Sequence, residues 1–360
     1  MARKNAAIAH TRKSTGARAN RPLPWPAQLA LGVGVGALAA GCALAARWAR
    51  RTDVHACRTA SGLALVRTVR DEDGAPVRVL QHGGVFQSAT YLDERWCYPP
   101  FAYLRAFERA FEAETPTFRI RRALMLGGGG YAWPKWALSR HPELRLDVVE
   151  LDPAITRIAR RFFFLGELME QAGFESWRLD AAGTARQLDR RATATARLGL
   201  IEGDGRAFVD DIASGSSSAQ GGDGSDLPEG LAPSAPAFAF ERYDLVVNDT
   251  FAGAEPVRPL ATVEAARAAK AALTPGGLYA ANVVSRAEGA DVSFLRAVVA
   301  TLREAFAHVL VIPCADEDFG GEDNYLVLAT DRNLEQDGCA SLMADAIPYD
   351  EDFPTAPLFD

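Results

Sequence analysis

Short apolar runs alternate along most of the chain with segments in which apolar side chains recur every three or four positions. The first pattern predicts buried strands and the second predicts amphipathic helices. Their alternation is typical of an α/β fold with a parallel sheet. The strands are predicted at about residues 122–126, 145–150, 198–202, 243–248, 278–284, 308–313 and 324–329. We therefore expect a doubly wound, Rossmann-like, mostly parallel seven-stranded sheet.

A smaller unit of β type precedes this alternation. Residues 63–69 and 77–80 are rich in Val and Leu and flank the turn residues Asp71 and Gly74, which predicts a β-hairpin. The pattern divides the chain into a hairpin lead-in with a linking helix at 61–112, an α/β domain at 113–335 and an acidic tail at 336–360. Residues 213–237 are rich in Ser, Gly, Pro and Asp and predict a disordered insertion within the domain.

The N-terminal region differs in composition from the rest of the chain. Residues 1–26 are basic and predict a disordered arm, and 27–47 carry no charge before Arg47, which predicts a single transmembrane helix. A signal-peptide core and a non-inserted amphiphile are the alternative interpretations. Basic residues before the segment favour a cytoplasmic N-terminus, whereas a ligand made in the cytosol would favour a cytoplasmic domain after the segment, so the sequence does not decide on which side of the membrane the domain lies.

Charge excludes one class of partner. Nine Lys or Arg residues lie within residues 1–51, which leaves 30 basic against 46 acidic residues in the rest of the chain. Nucleic-acid binding needs a basic face, and this body is strongly acidic. The five cysteines form no CxxC pair and the five histidines are scattered, so the sequence predicts neither a metal site nor a disulfide framework.

Glycines and acids follow successive predicted strands. Gly127, Gly128 and Gly129 follow the first strand, Glu150 ends the second, and the next two are followed by Asp204 with Gly205 and by Asp249. In a doubly wound sheet these strand ends meet at one edge, where ligands bind. A glycine turn lets the backbone approach a nucleoside, and an acid on the next strand accepts its ribose hydroxyls. We expect Glu150 to bind ribose and Asp204 to bind the adenine amino group.

The same residues have structural alternatives. Glycines after a strand also permit tight helix packing, Asp204 is also suited to cap a helix, and a strand-end acid such as Asp249 often binds loop amides. The sequence has no GK[ST] phosphate loop. An adenosine with a cationic or thioether tail therefore matches this edge better than a nucleotide, because acids attract a sulfonium.

These motifs resemble the spermidine synthase family within the class I S-adenosylmethionine-dependent methyltransferase fold. The resemblance rests on the strand ends above, on 84–88 with Gln87, and on Asp93 followed by Tyr98. The sequence is most similar to the soluble half of bacterial proteins that fuse a transporter-like region to such a domain. The resemblance implies S-adenosylmethionine or its decarboxylated form as cofactor, with Gln87 among the residues that bind it, and a homodimer formed through the lead-in.

The departures from the family pattern concern its amine site. Family members that transfer an aminopropyl group carry an acid where this chain has Gly130, and a second acid where it has Ala252. The resemblance therefore implies a polyamine-related transferase that is not a standard aminopropyltransferase, with Asp249 as the remaining acid near the transferred group and a small molecule, such as an amine, as acceptor. A small-molecule methyltransferase and a non-catalytic, membrane-anchored nucleoside-binding protein are the alternatives.

Overall fold

The computed structural model describes residues 53–180, 184–191, 196–214, 242–252, 255–285, 292–314, 323–347 and 355–360. The predicted arm at 1–26, the predicted transmembrane helix at 27–47 and all but the first two residues of the predicted insertion at 213–237 lie outside the described residues. Among the helices that are described, none combines the length and the apolar character that a bilayer crossing requires.

A large mixed sheet forms the centre of the fold. Its spatial order is β14-β15-β13-β10-β5-β6-β9-β7-β8, and neighbouring strands from β13 to β7 run parallel. Its strands are β5 (Arg122–Leu126), β6 (Arg145–Glu150), β7 (Phe174–Leu179), β8 (Ala185–Arg191), β9 (Leu198–Glu202), β10 (Tyr243–Asn248), β13 (Leu273–Ser285), β14 (His308–Cys314) and β15 (Asp323–Thr330). Two short strands, β11 (Phe251–Ala252) and β12 (Glu255–Pro256), pair with each other outside this sheet. The α/β class and the mostly parallel sheet are thus as predicted.

The predicted number of strands is wrong. The described sheet has nine strands, because β7 and β8 extend it beyond β9. Strand β7 buries Phe174 and Trp177 and pairs parallel to β9, and β8 closes the edge in antiparallel pairing with β7. The sequence of β8 is mostly charged, as expected of an edge strand. It carries no apolar alternation, and for this reason the sequence pattern does not reveal it.

The lead-in is larger than the predicted hairpin. It is a four-stranded antiparallel sheet of β1 (His55–Thr59), β2 (Gly62–Arg70), β3 (Pro76–His82) and β4 (Val85–Tyr91), in that spatial order. The predicted hairpin is β2 with β3. The outer strands escape prediction because polar residues interrupt them, although β4 becomes buried from Ser88 to Tyr91 against the α/β domain.

Helices cover both faces of the large sheet, and the sheet separates the buried side chains into two clusters. They are α1 (Ala102–Ala106) with the 3₁₀ helix Phe107–Ala113, α2 (Ala132–Arg140), α3 (Pro153–Phe162), α4 (Leu165–Ala172), α5 (Gly205–Ser214), α6 (Val263–Ala272), α7 (Val292–Arg303) and α8 (Ala340–Asp345). Helix α3 begins as the sequence predicts, since the Asp152 carboxylate accepts a 2.8 Å hydrogen bond from the amide of Ala154 and Pro153 is its first residue.

The last residues of the chain return to the large domain. Helix α8 buries Leu342 completely, and residues 355–360 run along α6 and α7. The amide of Leu358 donates to Thr301 Oγ1 on α7, and the Leu358 carbonyl accepts from the amide of Val263 on α6. The predicted acidic tail therefore contributes to the folded body.

Candidate functional site

A cavity of about 380 Å³ opens at the carboxyl ends of the parallel strands. Chain order along the sheet reverses between β5 and β10, which is where doubly wound folds bind their ligands. The volume is within the range of small-molecule sites. Every binding and catalytic residue predicted from the sequence lines this one cavity: Gln87, Gly127, Gly128, Gly129, Glu150, Asp204, Gly205 and Asp249.

Close packing explains the glycines of the loop after β5. Gly127 has φ +88°, and a Cβ atom there would collide with the carbonyl oxygen of Asp249. A Cβ atom on Gly128 would lie 2.7 Å from the ring of Tyr131. Only glycine tolerates both the left-handed backbone and this proximity. The loop therefore keeps bare backbone at the wall of the cavity, and it also serves the packing role that the alternative interpretation assigns to it.

Glu150 supports the glycine loop. Its Oε2 accepts hydrogen bonds from the amides of Gly128 at 2.9 Å and Gly129 at 3.3 Å, and its Oε1 accepts from the amide of Asp152 at 2.9 Å. Burial raises the pKa of this carboxyl, while the three backbone amides favour its ionised form. A carboxylate has about four acceptor positions, so one position on Oε1 is left for a ligand hydroxyl.

Asp204 caps a helix at the rim of the cavity. Its Oδ1 accepts from the amides of Arg206 at 2.7 Å and Ala207 at 3.2 Å, at the start of α5. The side chain is exposed and uses one of its two oxygens in these bonds. The capping role and the lining of the cavity therefore coexist in this residue.

Asp249 lies between the glycine loop and β13. Its amide donates to the carbonyl of Leu126 at 3.0 Å, and its Oδ1 accepts a 3.1 Å hydrogen bond from Nδ2 of Asn282. Burial raises the pKa of this carboxyl to about 6, and the bond from Asn282 opposes that rise. A carboxyl with such a pKa is suited to accept a proton near neutral pH.

The lead-in sheet supplies a wall of the cavity that the sequence pattern did not reveal. Ser61 and His82 line it, with 3.3 Å between Ser61 Oγ and His82 Nε2. The amide of Ala60 donates to Oδ2 of Asp152 at 2.5 Å, which joins the β1–β2 turn to the start of α3. Ala60 and Ser61 lie in the β1–β2 turn and His82 ends β3, so only the docking of the two sheets brings these residues to the site.

Asn282 is the second feature missed. It lines the cavity from β13 and binds the one predicted catalytic residue. The available signal was weak, since Asn282 is a single amide within the apolar run of residues 278–284. Such an amide does not reveal its partner before the strand order places β13 beside β10.

Gly130 is packed too closely to carry a side chain. A Cβ atom at this position would lie 2.5 Å from Ser88 Oγ, 2.9 Å from Ser88 Cβ and 3.1 Å from the ring of Phe163. Contacts this short require the neighbours to move. Strand β4 of the lead-in and the end of α3 therefore occupy the space that an acid at position 130 would need.

No protein-family model and no curated protein sequence matches this chain. Solved structures do match. A probable spermidine synthase from Corynebacterium glutamicum is 19% identical over 85% of this chain and 96% of its own, with a TM-score of 0.56. The spermidine synthase from Thermotoga maritima is 14% identical over 79% of this chain and 74% of its own, with a TM-score of 0.50. The chain thus shares the fold of these two spermidine synthases.

Proposed function

We propose that this protein is a transferase that binds S-adenosylmethionine or its decarboxylated form and passes a carbon group from the sulfonium to a small-molecule acceptor. One observation carries the proposal. The glycine loop, Glu150, Asp204 and Asp249 come from four different strand ends and line one cavity at the point where the chain order reverses. Two features support this choice of cofactor. The fold is that of spermidine synthases, and the carboxylates of the cavity offer the hydrogen-bond acceptors that an adenosine needs.

The charge around the cavity supports a cationic ligand. Glu150, Asp152, Asp204 and Asp249 all line it. The lining also includes Arg206, whose guanidinium already donates to Asp210, Asp360 and the carbonyl of Pro259. Acids favour a sulfonium over a phosphate in a cavity of low dielectric constant. The site therefore suits a positively charged adenosine better than a nucleotide.

The residues suggest a simple division of work. Glu150 and Asp204 would hold the adenosine, and the bare backbone of Gly127 and Gly128 would let the ligand lie close to β5. When bound, the sulfonium supplies an electrophilic carbon whose bond to sulfur breaks as the acceptor bonds to it. Asp249 would take the proton that the acceptor loses, and proximity would provide much of the rate.

Standard aminopropyl transfer to a polyamine is not favoured. An ammonium has no lone pair and must lose its proton before it attacks, which requires positioned carboxylates for the two cationic groups. Position 130 has no room for an acid beside Ser88 and Phe163, and residue 252 is alanine. A single carboxyl, Asp249, is left for this task at the end of β10. An amine with one reactive nitrogen, or another small nucleophile, fits this better.

Methyl transfer is the second candidate, and the crowding at Gly130 favours it. An acid at that loop position gives a site its preference for the decarboxylated cofactor, according to the family resemblance. Without that acid, S-adenosylmethionine is no longer disfavoured relative to its decarboxylated form. The two candidates share the adenosine site and differ in which form of the cofactor binds more tightly.

Calorimetry on the purified full chain tests the proposal. S-adenosylmethionine, its decarboxylated form and methylthioadenosine are titrated separately, and we expect at least one to bind. Asp204→Asn should weaken binding by about 1–3 kcal/mol, because it removes a carboxylate acceptor. Asp211→Asn is the matched control, since it removes the same charge from α5 at a residue outside the cavity lining. Binding of none of the three would refute the cofactor assignment, and rapid turnover of putrescine would refute the argument from the missing acids.

A further inference from the structure

Charge is unevenly distributed around the large cavity at the strand ends. Among the described residues that line it, the acids, bases and histidines are His82, Glu150, Asp152, Asp204, Arg206 and Asp249. Asp249 follows β10 in the middle of the sheet, and four of the others end or follow β6 or β9 on one side of it. His82 belongs to that side as well, because it contacts Ser61 at 3.3 Å and the neighbouring Ala60 amide donates to Asp152.

The other side of the cavity is formed at β13 and β15, beyond β10 in the sheet. Asn282 and Val284 lie two positions apart on β13, so their side chains are on the same face of the sheet. Asn324 of β15 is the cross-strand partner of Val284 and shares that face. All three residues line the cavity. Two amides and an apolar side chain are therefore the counterparts of the acids that follow β6 and β9.

Helix α1 and strand β4 add aromatic rings to this side. Helix α1 packs against β15, and the Tyr103 hydroxyl of α1 donates to the Gln87 carbonyl of β4 at 3.4 Å. Phe101 is buried, and its ring stacks on Phe86 with 6.5 Å between centroids and on Tyr103 with 6.0 Å. Phe86, Tyr103 and Leu104 line the cavity. Its wall on this side is therefore largely aromatic and aliphatic.

We name this side the neutral lobe, and its residues are Phe86, Tyr103, Leu104, Asn282, Val284 and Asn324. None of these six described residues carries a charge near neutral pH. The lobe borders Asp249, since Asn282 Nδ2 donates to Asp249 Oδ1 at 3.1 Å. An ammonium or a carboxylate that entered the lobe would lose hydration without gaining a partner of opposite charge from these residues. A planar apolar body can instead pack on the rings, and the amides can bind an uncharged polar group.

We propose that the acceptor is an uncharged molecule with a hydroxyl group on a planar, apolar body, and that the neutral lobe binds this body. The hydroxyl would lie at Asp249 and the far end of the molecule at Asn324. The inference rests on the proposed function for the transfer itself and adds the chemical class of the acceptor.

A neutral hydroxyl suits the single carboxylate at this point of the cavity. Its oxygen would bond to the carbon carried by the sulfonium, and the electron pair of the broken carbon–sulfur bond would stay on sulfur. The hydroxyl proton would pass to Asp249. An ammonium would have to lose a proton before it could attack, and the sulfonium would repel it until then. A hydroxyl arrives without charge and avoids both costs.

The test compares three probes by calorimetry on the full chain near neutral pH. They are 4-hydroxybenzamide, 4-hydroxybenzylamine and 4-hydroxybenzoate, which share a ring and a hydroxyl and carry a neutral, a positive and a negative group at the far end. We expect 4-hydroxybenzamide to bind roughly ten-fold more tightly than either charged probe, because each of these must bury an unpaired charge.

A variant shows whether the neutral lobe sets this preference. Asn324→Asp places a carboxylate in the lobe with almost no change in the shape of the side chain. It should improve the binding of 4-hydroxybenzylamine relative to 4-hydroxybenzamide by about five-fold, the upper value for an ion pair that is not fully buried. Asn333→Asp is the matched control, since it makes the same change outside the cavity lining and keeps an oxygen for the Gln336 amide. It should leave the ratio unchanged.

Each titration is run with and without methylthioadenosine, so the two proposals fail in different ways. The proposed function fails if no adenosine compound binds, whereas the class of acceptor is judged from the probes alone. A charged probe that binds wild type as tightly as 4-hydroxybenzamide overturns the inference, and so does binding of none of the three. A folded Asn324→Asp protein with the wild-type preference also overturns it. Circular dichroism shows whether each variant folds, and the wild-type series decides even where one does not.

Discussion

Arg206 holds Asp360, a residue 154 positions later in the chain, through two parallel hydrogen bonds of 2.8 Å. Arg206 also donates to Asp210 at 2.8 Å, and Thr262 Oγ1 donates to Asp360 at 2.8 Å. The paired geometry is the strong form of an arginine–carboxylate contact. It ties the end of the chain to the residue that follows Asp204 and Gly205 at the wall of the large cavity.

We expect Asp360→Asn to weaken adenosine binding by a few-fold without unfolding the protein. The carboxylate orients Arg206, and Arg206 lines the large cavity proposed to bind adenosine. Arg206 holds the pKa of Asp360 at about 2, so its charge is present across the working pH range. Calorimetry at low and high salt checks this, because an exposed ion pair is screened by salt. Asp337→Asn, which removes an exposed partner of Arg332 away from the cavity, should leave binding unchanged.

Gly130→Ala should destabilise the protein by about 1–3 kcal/mol, the usual range for overpacking. The added methyl group would press on Ser88 and Phe163. Chemical denaturation measures the free energy of unfolding. Ser88→Gly in the same chain should recover part of the loss, because the shortest contacts are to that side chain.

Gly166→Ala is the control for this change. The nearest atom to a Cβ there is 3.7 Å away, and the residue lies in α4, where alanine is favoured over glycine. A Gly130→Ala protein as stable as the wild type would show that position 130 has room for a side chain and that Ser88 and Phe163 do not exclude one.

Asp249 should make the protein less stable as the pH rises from about 4 to above 6. Burial raises its folded-state pKa from 3.8 to about 6, so the native state keeps a proton that the unfolded chain has already lost. Its contribution is therefore complete below pH 4 and is lost as the pH passes 6, by up to about 3 kcal/mol. Asp249→Asn should remove this part of the pH dependence. If the stabilities of the wild type and the variant depend on pH in the same way, the pKa of Asp249 is not raised in the folded protein.

Lys135 should make the protein more stable as the pH rises above 7. Its ammonium is buried, donates to Thr90 Oγ1 at 2.8 Å and to the Phe163 carbonyl at 2.9 Å, and its pKa is lowered by burial to about 7. The unfolded chain binds the proton more tightly, so stability should rise between pH 7 and about 10. Lys135→Met should abolish the rise, which denaturation at pH 7 and 9.5 measures. If the stability of Lys135→Met rises with pH as steeply as that of the wild type, groups other than Lys135 cause the rise.

Much of the ligand edge could be predicted without coordinates. Gly127, Glu150, Asp204 and Asp249 end strands or follow them within two residues, and parallel strands must place those ends along one edge. The start of α3 at Asp152 could also be predicted, because an acid followed by proline favours a helix start through contacts between neighbouring residues. The resemblance to spermidine synthases depended on the same local motifs.

Other features depended on pairing between distant segments. Strand β7, the edge strand β8 and the outer strands β1 and β4 show no clear alternation of apolar and polar residues, and they form strands because they pair with neighbouring strands. The wall formed by Ser61 and His82 arises when two sheets dock. The contact between Asn282 and Asp249 arises when β13 lies beside β10.

The sequence by itself determined the α/β class, the central strands and the row of glycines and acids at the strand ends, because each follows from periodicity or from residues adjacent in the chain. Only the tertiary structure decided that Glu150 accepts hydrogen bonds from the amides of Gly128 and Gly129, that Gly130 is enclosed by Ser88 and Phe163, and that Asn282 binds Asp249. Each of these is a contact between residues far apart in sequence, and its existence depends on how the sheets and helices pack.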